Sequence, residues 1–208
     1  MEDSANRRHF LTTSAVAALT LPAWIAACSS DGKGAVDGMD AAAKKKEQEA
    51  NDVGLFNKGI ALEQGAINVY KIAATLPFIA EDKAVLAVAG EFMGQHGEHR
   101  DALIKWIGTL GGKADDPASA PTPEIPAAIT NEALTPEERK RAVLEFARQL
   151  EKQAADAYFK LVTQNLLTDF GRRKAMEILP VEAQHVAIYD LVLGREKPVN
   201  AAFFPSQT

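Results

Sequence analysis

Glu182 and His185 stand three residues apart in the stretch Leu-Pro-Val-Glu-Ala-Gln-His-Val-Ala-Ile-Tyr that ends at Tyr189, which sets a carboxylate and an imidazole on one face of a helix. The face is apolar: Ala175, Ile178, Glu182, His185, Tyr189 and Val192 follow in steps of three and four. A charged group on a buried face needs a partner. Other stretches supply candidates. His96 and His99 repeat the three-residue step, while Glu63 and Glu151 each stand in an apolar stripe with a tyrosine seven residues later, Tyr70 and Tyr158. His99 lies 36 residues after Glu63 and His185 lies 34 after Glu151, so the chain reads as an internal repeat of one helix pair. Carboxylates and imidazoles converging from several helices make a donor set for a divalent cation, with iron, manganese and zinc all admitted by the ligand chemistry. The plainer alternative is a set of paired polar groups in a core. Tyr70 and Tyr158 read either as hydrogen-bond donors or redox-accessible groups beside such a site, or as ordinary bundle packing.

Four helices are needed to position these groups. The first is expected to begin between Asp40 and Asp52 and to end before Pro77, with Phe56, Ile60, Glu63, Ile67, Tyr70 and Ala74 on its stripe. The second runs from about residue 81 to 110 and stops at Gly111-Gly112. Its stripe is Val85, Ala89, Phe92, His96, His99, Leu103, Trp106 and Leu110, and Gly90, Gly94 and Gly97 on an adjacent face are expected to admit a neighbouring helix at close range. Residues 113–134 contain Pro117, Pro121, Pro123 and Pro126 and read as a crossover running the length of a bundle. Thr135-Pro136-Glu137-Glu138 combines a threonine cap, a proline in the first turn and a glutamate three residues on, so a third helix starts there and is expected to reach about Leu167. Its stripe is Leu144, Ala147, Glu151, Ala154, Tyr158 and Leu161. The fourth helix follows Thr168-Asp169 and ends near Gly194. The expected fold is all-α, an antiparallel four-helix bundle over residues 51–194 with a long crossover between helices two and three. An extended C-terminal tail covers residues 195–208.

The chain of 208 residues is 47% hydrophobic and 25% charged, enough for one domain with a sizeable core. Its net charge is −5 and its longest basic block is Lys44 to Lys46, which argues against nucleic acid as a partner. Asn6-Arg7-Arg8-His9-Phe10-Leu11 resembles a twin-arginine export signal, with Arg7 and Arg8 as the pair. The uncharged run after it ends in Ile25-Ala26-Ala27-Cys28, similar to a lipobox. Cys28 is the sole cysteine, so no internal disulfide can form and a lipid anchor is its most economical use. The expectation is a signal peptide over residues 1–27 and a lipidated Cys28 with a flexible tether over 28–50. The twin-arginine machinery would deliver the body to the periplasmic or cell-envelope face, where the lipid holds it at a membrane.

Taken together, the repeat resembles the ferritin-like family: rubrerythrins, bacterioferritins, manganese catalases and related carboxylate proteins, whose site takes one Glu from each of two helices and Glu-x-x-His from each of the other two. Gly111-Gly112 lies twelve residues after His99 as a glycine pair does in ferritin heavy chains, and Leu150-Glu151-Lys152 is similar to their third helix. The resemblance implies a ferritin-like bundle with Glu63 and Glu151 as the single carboxylates, Glu182 and His185 as the pair on the last helix, and His99 as the histidine on the second. His96 departs from the pattern, standing where the family has a bridging glutamate. The implied cofactor is therefore iron or manganese, one ion or two. Three carboxylates in an apolar core are expected to repel one another without a cation. The functions implied are a metal-binding envelope protein that reacts with oxygen or peroxide, which would make it a metal-dependent oxidoreductase, or a non-catalytic scaffold or stress-related binding lipoprotein with a degenerate site. A homo-oligomer fits either. A mineral-storing cage suits neither the tether nor the missing fifth helix.

Overall fold

All regular structure among the described residues, 41–195 of a computed structural model, is helical. The stretch read as an export signal, Cys28 and the tail beyond residue 195 lie outside them. Helix α1 (Ala41–Ala74) reaches back into the stretch expected as tether, because residues 41–50 are filled by Ala, Lys, Glu and Gln, which are strong helix formers. Pro77 opens the one-turn α2 (Pro77–Ala80), and Asp82 then caps α3 (Lys83–Thr109) by accepting from the Val85 N–H at 3.2 Å. Gly111, at φ 73°, ends the second helix where the glycine pair predicted a stop. After the crossover come α5 (Pro136–Lys160), with the full capping box of Thr135 and Glu138, and α6 (Asp169–Val192), capped by Thr168 and followed by Gly194 at φ 68°. No helix of the described residues is long and apolar enough to cross a membrane.

Helices α1 and α3 pack as one hairpin, α5 and α6 as another. The two hairpins are joined along α1. Asn57 bonds Lys113 O and the Asp115 N–H, Gly65 lies against Pro121 and Pro123, and Asn68 reaches Thr122, so rising numbers in the crossover track rising numbers in the helix. A short helix α4 (Ala127–Thr130) then inserts Ile129 among Val69, Val143 and Phe146. This segment traverses the bundle, as its length and prolines implied. Helices α1 and α5 are antiparallel, because Glu63 pairs with Tyr158 while Tyr70, further along α1, pairs with Glu151, earlier along α5.

Three local expectations need correction. The third α-helix ends at Lys160 rather than near Leu167, and residues Leu161–Asn165 widen into a π turn closed by Leu166 N–H to Leu161 O at 2.9 Å. Asp52 draws the chain out of the helix beyond this turn: its buried carboxylate accepts from Leu167 N, Thr168 N and Thr168 Oγ1, at 2.8, 3.0 and 2.5 Å. Gly90, Gly94 and Gly97 do not mark a close helix approach, since a methyl group at each would meet nothing within 4 Å. Close approaches occur instead at Gly59, beside Leu103, at Gly65, against Pro121, at Gly112, against Val53, and at Gly171, where a methyl would overlap the Asp52 carboxylate. Val192, assigned to the inner stripe of the last helix and its final residue, is exposed.

Candidate metal centre

The apolar stripes bury one end of the bundle around Phe56, Leu103 and Trp106 and another around Phe92, Leu144 and Leu193. Between these ends the stripes carry polar groups. Glu63 comes from α1, His96 and His99 from α3, Glu151 from α5, and Glu182 and His185 from α6. All six converge, and only the His99 side chain, at 11%, is exposed beyond 2%. His96 is central, with Nδ1 2.7 Å from Glu63 Oε2 and Nε2 3.2 Å from Glu151 Oε1. Glu182 divides its oxygens between the outer histidines: Oε1 is 2.9 Å from His99 Nδ1, Oε2 3.6 Å from His185 Nδ1. His185 Nδ1 also lies 3.0 Å from Glu151 Oε2. Two overlapping quartets result: Glu63, His96, His99 and Glu182, and His96, Glu151, Glu182 and His185, the donor atoms of each within 4.8 Å of one another.

These residues fit a cation on an observation independent of the spacing. Both oxygens of Glu182 and Nδ1 of His99 are buried without a hydrogen bond, the 2.9 Å approach between them lacking the alignment of one. An unsatisfied buried polar group costs roughly 1–3 kcal/mol, and a charged one more. A divalent ion shared by Glu182 and the imidazoles would remove that cost, and oxygen with nitrogen donors suits iron, manganese or zinc.

Without an ion, the cluster balances itself by protonation. Burial alone would raise Glu63, but the hydrogen bond from His96 and the positive charge of His96 and His99 outweigh it and hold the carboxyl at about 2. Burial likewise opposes ionisation of Glu151, and the charge and hydrogen bonds of His96 and His185 carry it well below the usual carboxylate range. Burial would depress His96 and His99; their carboxylate neighbours reverse this, lifting His96 well above its ordinary value and His99 to about 9. His185 is raised in the same way by Glu151 and Glu182. Glu182 moves opposite to the other glutamates, raised by burial and by the charge of Glu63. The expected mutual repulsion of three carboxylates is therefore offset by imidazolium charge inside the cluster.

The tyrosines exchange partners across the repeat. Tyr158 donates to Glu63 Oε1 at 2.5 Å and Tyr70 donates to Glu151 Oε1, so each helix's tyrosine serves the other's glutamate. Burial and these carboxylates push both hydroxyls well above the usual phenol range, keeping them donors. With the Tyr70 hydrogen committed to Glu151, the 2.8 Å contact with Tyr189 is a bond donated by Tyr189. Tyr189 was legible only as a stripe residue, yet it stands seven after Glu182, the spacing of the other two Glu–Tyr pairs. Gln95 was missed altogether: its Oε1 lies 2.6 Å from His185 Nε2. Its one sequence signal was adjacency to His96.

Residues 51–195 match the family model of the ferritin-like domain. No curated protein and no solved structure matches the chain. The matched span covers more than half of the 208 residues and contains all four long bundle helices apart from the first turns of α1. This chain, all-helical in its described regular structure and with carboxylates and histidines gathered at its centre, belongs to the ferritin-like family.

Proposed function

We propose that this ferritin-like, metal-binding chain is a cell-envelope protein whose cluster holds iron or manganese, one ion or two, in contact with oxygen or peroxide chemistry. The observation that carries the reading is Glu182: a fully buried carboxylate with neither oxygen hydrogen-bonded, within reach of His99 and His185. Glu63, His96, His99, Glu151, Glu182 and His185 would be the ligands, and Tyr70 and Tyr158 would hold the two single carboxylates in place. The chemistry such an ion supplies is electron exchange with oxygen or peroxide. The twin-arginine-like Arg7-Arg8 and the lipobox-like ending at Cys28 support export and anchoring at a membrane, and a homo-oligomer is compatible with both.

Metal analysis of protein purified through its own export route tests the site: bound iron or manganese supports the reading, and metal-free protein that takes up neither ion on addition overturns it. Cys28→Ser tests the anchor. The variant should leave the membrane for the soluble envelope fraction, and retention in the membrane would refute lipidation.

A second reading, a non-catalytic scaffold or stress-related binding lipoprotein, is favoured by one observation. His96 sits between Glu63 and Glu151 with an acceptor at each nitrogen, so the cluster can stand closed on its own charges. Protein that binds metal but oxidises ferrous iron no faster than buffer would support this alternative.

A further inference from the structure

His185 is fixed from three directions. Its ring is stacked on Phe92, centroids 3.9 Å apart and planes inclined by 24°, which leaves the ring plane little freedom. Its Nδ1 faces Glu151 and Glu182, and its Nε2 meets Gln95 Oε1 at 2.6 Å. A carbonyl oxygen only accepts, so Nε2 must carry hydrogen and the lone pair of the neutral ring lies on Nδ1. The sense of the Gln95 amide is set in turn by Glu91, one helical turn away, whose Oε1 accepts from Gln95 Nε2 at 3.1 Å. Reversing the amide would turn an N–H₂ group toward the His185 N–H and an oxygen toward a carboxylate, losing both bonds at once. His99 has no such outer partner: its Nδ1 is unbonded, and no side chain among the described residues hydrogen-bonds its ring from outside the cluster.

We propose that Gln95, oriented by Glu91, is the positioning residue that presents His185 Nδ1 to a divalent cation in the quartet of His96, Glu151, Glu182 and His185. The inference rests on the metal-binding reading and deepens it, because it distinguishes the two quartets: the one containing His185 has its imidazole preset, and the one containing His99 does not. A neutral amide suits this task. Its oxygen only accepts, which locks the tautomer. Outer hydrogen bonds of this kind are worth about 10- to 100-fold in metal affinity when removed.

The test is zinc titration of the full mature chain and its variants by calorimetry. Gln95→Leu should weaken the tightest zinc site about tenfold or more, while the chain stays folded in chelator at a lowered midpoint, because the buried His185 Nε2–H loses its acceptor. The exchanged pair, Gln95→Glu with Glu91→Gln, preserves net charge and lets the new glutamine donate to the new glutamate, which accepts from His185. Affinity in this double variant should return to near the native value. In nitrogen-edited NMR of the zinc-loaded native protein and double variant, the His185 Nε2–H should give a slowly exchanging signal that Gln95→Leu lacks. Native affinity in Gln95→Leu would overturn the inference, as would a double variant as weak as Gln95→Leu. Native protein that takes up no zinc, iron or manganese would instead overturn the metal-binding reading, and this proposal with it.

Discussion

At the scale of single residues, His96 governs the charge of the centre. Each ring nitrogen faces a carboxylate, Glu63 through Nδ1 and Glu151 through Nε2. A neutral imidazole keeps one N–H and offers one lone pair, so it can serve only one of the two quartets at a time. Native protein should therefore hold fewer than two tightly bound ions per chain, and His96→Glu should raise the number toward two. With chelator present the same variant should lose about 3–5 kcal/mol, because a buried ion pair has been replaced by a fourth carboxylate. Stoichiometry at matched free metal decides it, and two tight ions in the native protein would sink the argument. Protonation also gives the ion-free fold a defined pH range. His99 binds its proton more tightly folded, at about 9, than at its ordinary 6.5, so its contribution is complete below 6.5 and is lost as pH rises through 9. Glu182, also raised, has its contribution complete below its ordinary 4.5 and loses it as pH rises above that. Glu63 is lowered from 4.5 to about 2, so its contribution is present above 4.5 and is lost as pH falls through 2. Urea midpoints measured in chelator should be highest between these flanks and fall on both sides. A midpoint that stays level from 6.5 to 9 would show that the histidines are not held as cations.

At the scale of elements, Asp52 is a carboxylate outside the central cluster that ties the second hairpin to the first. It is fully buried and accepts three bonds from the turn between α5 and α6, with Asn51 adding a fourth at 3.1 Å. Its removal would leave the Leu167 and Thr168 N–H groups without partners beneath the start of the helix that carries Glu182 and His185. Asp52→Ala should cost roughly 3 kcal/mol or more in urea unfolding. A loss below about 1 kcal/mol would mean that water replaces the carboxylate at little cost. On the other hairpin face, Asp190 receives Arg148, with one bond at 3.1 Å, and Arg195 at 3.0 Å, pinning the far end of α6 to α5. The ligand-bearing middle of α6 is thus held at both of its ends by buried or half-buried charge.

At the scale of the whole molecule, the cluster joins all four long helices, so occupancy should act on global unfolding rather than on one element. A ligand that binds only the folded form at about a hundredfold excess over its dissociation constant adds about 2.7 kcal/mol. For a chain of this size that corresponds to a rise of about 5–10 °C in the unfolding midpoint. Thermal scans at neutral pH with iron or manganese, against scans with chelator, should show that difference as one cooperative shift. Equal midpoints would mean that the imidazolium-balanced cluster is as stable empty as filled.

The four long helices, the crossover and the mid-stripe positions of Glu63, His96, His99, Glu151, Glu182 and His185 were determined by the sequence alone. Each is written as a local period of three and four residues, and glycine and proline punctuate the ends. Periodicity does not contain what lies opposite a side chain. That Tyr158 serves Glu63 and Tyr70 serves Glu151 follows from the antiparallel meeting of α1 and α5, a relation between residues more than eighty positions apart. The same holds for Asp52 capturing the turn at Thr168, and for Gln95 reaching His185 across the gap between α3 and α6. The open surroundings of Gly90, Gly94 and Gly97 were decided the same way, since their spacing is equally that of a packed and of an unpacked face. A helix encodes its own buried side in its spacing, but the partner that satisfies each polar group there is chosen by how the hairpins dock.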